Sequence, residues 1–263
     1  MCFRLICTLM LCGFSPTFIH AAANEDALRA AGISVPPKTP DKPAAAAVVG
    51  TPDMDPVMLK RGKLIWAETF DKGVISKNWN KYKGGYEPDG DNIKSQELAT
   101  DGHHPEMMRS FGKTPLKDII IQASFKYDGS KWWGLSLDNK EHVARCMMSA
   151  KDFKVVKMSG IGPTTKGENV DSRNFKFETG KWYTILWELH GQEMIARIDD
   201  QNFAMGEMAG VEQEKFRLSL ISGGEWIGWD DIRIWEGEEN PKWAETKAKL
   251  QALKPNKVPA KKP

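Results

Sequence analysis

"KDIIIQASFKYDG", residues 117–129, alternates in a way that only an extended chain can use. Ile119, Ile121, Ala123, Phe125 and Tyr127 fall on one side of a period of two, and Gln122, Ser124 and Lys126 on the other. A helix would mix these sets, whereas a strand with one buried face separates them. The same pattern returns in "GKWYTILWELHGQEMIARIDD", residues 180–200. There Tyr183, Ile185, Trp187 and Leu189 answer Met194, Ala196 and Ile198 across a turn at His190 and Gly191, which predicts a hairpin. Further short runs at 64–70, 79–83, 93–99, 106–111, 132–138, 142–149, 153–158, 216–222 and 227–235 are divided by Gly, Asp and Asn. Many short strands with a turn every eight to twelve residues or so predict an all-β antiparallel sandwich spanning 59–238.

The flanks read differently. Residues 1–23, "MCFRLICTLMLCGFSPTFIHAAA", have a basic start at Arg4, an apolar run and small residues at Ala21 to Ala23, the pattern of a signal peptide. Pro16 interrupts that run, leaving it well short of the about 20 apolar residues that span a bilayer, and no later segment comes close. The expected location is periplasmic or extracellular, with no transmembrane segment. A lipid anchor at Cys12 would want a small residue in the preceding "LML". Residues 24–58 hold six prolines and the run Ala44 to Ala47, the composition of a linker, with room for a brief helix between Asn24 and Gly32.

At the other end, residues 239–263 read as a helix and a basic tail. Asn240 can cap, Pro241 suits a first helical position, Trp243, Thr246, Leu250 and Leu253 lie along one stripe, and Pro255 stops it.

Cys2, Cys7 and Cys12 leave with the signal, so Cys146 stands alone and the fold must rest on its core without a disulfide. In "HVARCMMSA" that cysteine reads as a small buried hydrophobe. Hydrophobic residues make up 41% and charged ones 27%, which suits one substantial core. The net charge is +2, but residues 241–263 carry seven lysines against one glutamate, so the domain itself is mildly acidic. Nothing in that distribution suggests a nucleic-acid partner.

"LIWAETFDKGVISKNW" (64–79), "SQELATDG" (95–102), the 180–200 hairpin and "WIGWDDIRIWEG" (226–237) together resemble the concanavalin A-like jelly-roll sandwiches. More narrowly, residues 60–240 look like the exported family named for 3-keto-disaccharide hydrolases, also called glycoside hydrolase family 16-like or laminin-G-like. The resemblance implies two facing antiparallel sheets, one concave, with carbohydrate bound across the concave face. It also implies an activity on 3-keto-glycosides or related sugars. Family 16 glycosidases carry an acid–x–acid–x–x–acid strand, and no stretch here fits it. Glu188 and Glu193 lie five apart across a turn, so that strand does not encode two carboxyls about 5 Å apart.

Alternation selects candidate site residues. If Leu135 and Leu137 face the core, Trp132, Ser136 and Asp138 face out, and if Ala144, Cys146 and Met148 are buried, Arg145 joins them. Gln122 and Arg109 are expected on the same open face. Aromatic planes cover the apolar side of a pyranose, while Arg, Asp and Gln exchange hydrogen bonds with its hydroxyls. Arg109, Gln122 and Trp132 are therefore the candidate substrate-binding residues. His104 or His142 would act as acid or base, Arg145 would steady developing negative charge, and Asp138 would orient a partner. The alternatives are a non-catalytic sugar-binding module on the same face, or an envelope scaffold in which the sandwich is a spacer.

His103 and His104 with Asp101 or Glu106 offer metal-ligand chemistry, but neighbours in an extended strand point to opposite faces, so no metal is expected there. "EPDGDN" supplies Asp89, Asp91 and Asn92, either structural calcium ligands or an ordinary polar hairpin loop. No other cofactor is expected, and the chain is expected to be monomeric.

Overall fold

Two strands in the computed structural model, which describes residues 53–253, are far longer than the usual strand and organise the rest. β6 (Ile119–Asp138) and β13 (Arg217–Glu239) pair antiparallel along their whole length, with irregular register where Asp128–Ser130 meets Gly224–Trp226. Gly129 (φ +92°) and Gly224 (φ +84°) take a backbone conformation there that L side chains rarely adopt. On one side of this irregularity β6 pairs with β10 (Trp182–His190), and on the other with β7 (His142–Ser149). One continuous sheet thereby folds over into two layers.

The first layer runs β12 (Phe203–Glu207), β11 (Glu193–Arg197), β10, the first half of β6 and the second half of β13. β1 (Leu59–Glu68) and the hairpin of β3 (Gly85–Asp89) and β4 (Asn92–Gln96) flank β13 there. The second layer runs β9 (Lys166–Asn174), β8 (Asp152–Ser159), β7, the second half of β6, the first half of β13, β5 (Glu106–Ser110) and β2 (Asn80–Lys83).

The alternation read in the sequence fills the space between the layers. Ile119, Ile121, Ala123 and Phe125 from the first half of β6 share a core with Trp133, Leu135 and Leu137 from the second half. The predicted hairpin forms in register, Leu189 opposite Met194 and Trp187 opposite Ala196. In β13 both Ile227 and Trp229 and both Ile232 and Ile234 join this core, which simple alternation forbids. A register shift between Asp230 and Arg233, with Asp231 at φ 43°, restores the phase. Asp231 holds Arg233 at 2.6 Å. Cys146 is fully buried, and burial pushes its thiol pKa up, as expected for an inert hydrophobe.

A second, smaller core covers the outer face of the first layer. Ile120, Leu186, Ile195, Phe203 and Trp235 pack against Met58, Leu59 and against Trp243 and Leu250 of α1 (Trp243–Ala252). The helix starts two residues later than its sequence signals suggested. Asn240 still organises the approach, its Oδ1 accepting from Lys242 N (3.1 Å) and its Nδ2 donating to Val57 O (2.9 Å). Residues 53–58, which the linker reading included, are part of the domain. Their apolar members Met54, Val57 and Met58 lie in a strap, not a strand, and so carry no periodicity.

β3, β9 and β12 were absent from the sequence reading. β9 is exposed or half-buried along nearly all its length and so shows no apolar alternation. The signal segment 1–23, most of the linker and residues 254–263 of the tail lie outside the described residues. Among the described residues no helix is long and apolar enough to cross a membrane.

Lys215 is fully buried, its Nζ donating to Lys117 O (2.7 Å). Burial lowers its pKa to about 8, with Asp118 and Glu212 opposing. Between that value and the ordinary lysine pKa the unfolded chain binds more protons, so stability rises with pH. This lysine accounts for up to about 3 kcal/mol of that rise. Urea denaturation at pH 7, 8, 9 and 10 should show a flatter profile for Lys215→Met; parallel profiles would refute the assignment.

Candidate functional site

The outer face of the second layer gathers most of the predicted residues. Register fixes its rows. Met108, Ser219, Ser136 and Arg145 lie side by side across β5, β13, β6 and β7, and Glu106, Ile221, Gly134 and Met147 form the next row. Arg217, Asp138 and His142 make a row on one flank, and Gly223 with Trp132 on the other.

Asp138 is fully buried at the centre of a hydrogen-bond network. Its Oδ1 accepts from Ser136 Oγ (3.0 Å) and His142 Nδ1 (2.7 Å), and its Oδ2 from Arg217 Nε (3.1 Å) and Ser219 Oγ (3.2 Å). Burial alone would raise its pKa, but the hydrogen bond and charge of His142, then Arg217, outweigh it and hold the carboxyl below its ordinary value. An ionised Asp138 can only accept, so His142 donates from Nδ1, and whenever the ring is neutral the lone pair is on Nε2. Ser136 in turn accepts from Arg145 Nε (3.2 Å). The two terminal nitrogens of Arg145 have no hydrogen-bond acceptor among the described residues, and the guanidinium lies in the field of both Asp138 and Glu106.

Trp132 is half-buried on this face. A methyl group on Gly223 would come within 2.4 Å of its indole, so the ring lies directly against that glycine. His104 meets the ring edge-on at 5.1 Å. Burial first, then the charges of His103 and Arg145, lower the His104 pKa to about 4, which keeps that ring neutral at physiological pH. His104 also feels His142, so His104, Trp132, Asp138, His142 and Arg145 form one cluster.

Two predicted members lie elsewhere. Gln122 does have the parity of Trp132, but β6 folds over between them, so one outer face of the ribbon ends on opposite sides of the sandwich. Gln122 is fully buried under the 53–58 strap and accepts from Met54 N (3.1 Å). Arg109 shares its side of the strand with Met107, whose partner Leu220 is in the core, and not with Met108. It stacks on Trp66 (4.2 Å) and pairs with Glu68 (3.0 Å), tying β5 of one layer to β1 of the other.

The expectation for the paired histidines also changes. Residues 103 and 104 precede β5 in a loop, where strand alternation does not apply, and their rings stack at 4.0 Å. Glu188 and Glu193 are far from this cluster in role. Glu188 anchors the strap, and Glu193 binds Lys247 and Trp243 of α1. Asp89 of the proposed calcium loop pairs with Lys126 (2.5 Å) at the β3–β4 turn. The sequence reading missed Ser219, Arg217 and Met108, which enter only through the pairing of β13 and β5 with β6, and named Glu106 only as a possible metal ligand.

A cavity of about 380 Å³ lies between α1 and the first layer, lined in part by Arg173, Glu193, Met205, Trp243 and Lys247. Its charged groups answer one another, Lys247 with Glu193 and Arg173 with Asp171. It therefore offers a ligand fewer unengaged polar groups than the Trp132 face.

No family model and no curated protein matches the sequence. Among solved structures, the fold is similar to the CBM2 module of the evolved Dit protein of Lactobacillus casei BL23 phage J-1. That match has a TM-score of 0.52 at 9% identity and covers 68% of this chain and 98% of the module. A Bacillus subtilis protein with a galectin-like fold gives a TM-score of 0.52 at 8% identity, covering 70% of this chain and 100% of that one. At such identities the likeness is one of fold, and the fold is a concanavalin A-like jelly-roll sandwich.

Proposed function

We propose that this chain is an exported carbohydrate-active domain that binds sugar on the outer face of its second layer. The observation that carries the reading is the grouping of Trp132, Arg145 and the Asp138–His142 pair on one face. An indole lying against Gly223 suits the apolar side of a pyranose, and the free nitrogens of Arg145 suit its oxygens. Export is supported by the signal pattern of residues 1–23. The phage module of like fold is by its description a carbohydrate-binding module, which agrees with this class of ligand.

A hydrolytic role is favoured by the state of His142. With Nδ1–H given to Asp138, Nε2 is a base held in one orientation. In a 3-keto-glycoside the ketone acidifies the neighbouring C2–H. A base there can take that proton while Arg145 steadies the enolate oxygen; the C1 substituent then leaves as an alcohol after taking a proton, and water adding at C1 of the resulting enone, with a proton returned to C2, completes the hydrolysis. A plain glycoside lacks the ketone, and the site shows no pair of carboxylates flanking a bond. We therefore place 3-keto-glycosides ahead of ordinary glycosides as substrates, with non-catalytic binding as the other reading.

Incubation of the purified protein with glycans and with 3-keto-glycosides decides between them. Turnover of the keto sugars should fall by about 100-fold or more in His142→Ala. Binding without turnover in the wild type would discard the hydrolase and keep the binding module.

A further inference from the structure

We propose that His103, His104 and Glu106 form a binding site for a divalent transition cation of the zinc class. One donor atom from each side chain lies within 4.8 Å of the others, and this is the one such group of three His, Cys, Asp or Glu ligands among the described residues. In a tetrahedral zinc site with bonds near 2.1 Å, donors stand roughly 3.4 Å apart, so a small rotation of the side chains closes the set. Two histidines and one carboxylate leave at least one position open to water or a ligand oxygen.

Two further observations point to a cation. His103 Nδ1 lies 2.7 Å from His104 O, a carbonyl that can only accept, so Nδ1 carries the proton and Nε2 is the nitrogen left to bind a metal. A backbone carbonyl fixing the tautomer in this way is the usual outer-sphere support of a metal-bound histidine. Glu106 is only 9% exposed, and its carboxylate makes no hydrogen bond among the described residues. Its oxygens are still reached by solvent, so both can turn to an incoming cation. The inference concerns metal occupancy and stands apart from the sugar reading, although His104 touches Trp132 and places the open coordination position beside that face.

The test is calorimetric titration of chelator-treated protein with ZnCl2, with CoCl2 absorption as a second readout of nitrogen and oxygen ligation. One ion per chain is expected, with affinity reduced roughly 10–100-fold or more in His103→Ala and in Glu106→Gln. His103 is a half-buried loop residue and Glu106→Gln keeps its shape, so far-ultraviolet circular dichroism should be unchanged; if one variant fails to fold, the other decides. Absence of zinc binding by folded wild type, equal affinity in the folded variants, or loss only in His190→Ala would overturn the proposal. Sugar binding that is indifferent to chelator would leave the zinc result intact, so the two readings fail separately.

Discussion

Replacing Glu188 with alanine is expected to destabilise the domain by about 3–5 kcal/mol, a large part of the stability of an ordinary domain. The carboxylate is fully buried on the outer face of the first layer and accepts from three successive backbone amides, Val57 N (2.9 Å), Met58 N (2.9 Å) and Leu59 N (2.8 Å). Burial raises its pKa, while those amides and Arg197 lower it, and burial prevails. Alanine leaves three donors without an acceptor and frees the strap that carries Met54, Val57 and Met58 into the smaller core. Glutamine should fall between, since its amide keeps one acceptor oxygen and adds two donors. Urea denaturation measures the loss, and hydrogen exchange at residues 57–59 locates it. A change below about 1 kcal/mol would mean the strap holds by its apolar contacts alone.

Asp138→Ala should cost a comparable amount, about 3–5 kcal/mol at pH 7, because it strips the common acceptor from Ser136, His142, Arg217 and Ser219. Asp138→Asn keeps the shape and isolates the charge. The folded pKa is below the unfolded one, so the ionised carboxyl stabilises the fold above the unfolded value, and this is lost as pH falls through the folded value. The wild type should therefore lose more stability than Asp138→Asn as the solution is acidified below the ordinary carboxylate range. Parallel acid profiles would show that the network does not depend on that charge.

Much of the candidate site was legible because its strands are unambiguous. In 132–138 and 142–149, Leu135, Leu137, Ala144, Cys146 and Met148 declare the buried side, and Trp132, Asp138 and Arg145 follow by alternation. "EMMRS" gives no such declaration. Its two consecutive methionines fit either phase, and the choice of Met107 for the core turns Arg109 inward. Gln122 escaped for a different reason: its parity was right, but parity carries no information about where a strand of 20 residues folds over. His103 and His104 sit in a loop before β5, where strand alternation has no hold on side-chain direction. Glu188 offered no signal at all, because its partners are backbone amides about 130 positions away.

The account turns on where sugar binds, and a glycan array probed with three forms of the protein tests this directly. Wild type and Lys247→Ala, altered at the cavity beside α1, should bind the same glycans, while Trp132→Ala should lose that binding by about 10-fold or more, the expected cost of removing an aromatic platform. Binding that survives in Trp132→Ala but disappears in Lys247→Ala would place the ligand on the opposite side of the sandwich and contradict the site described above.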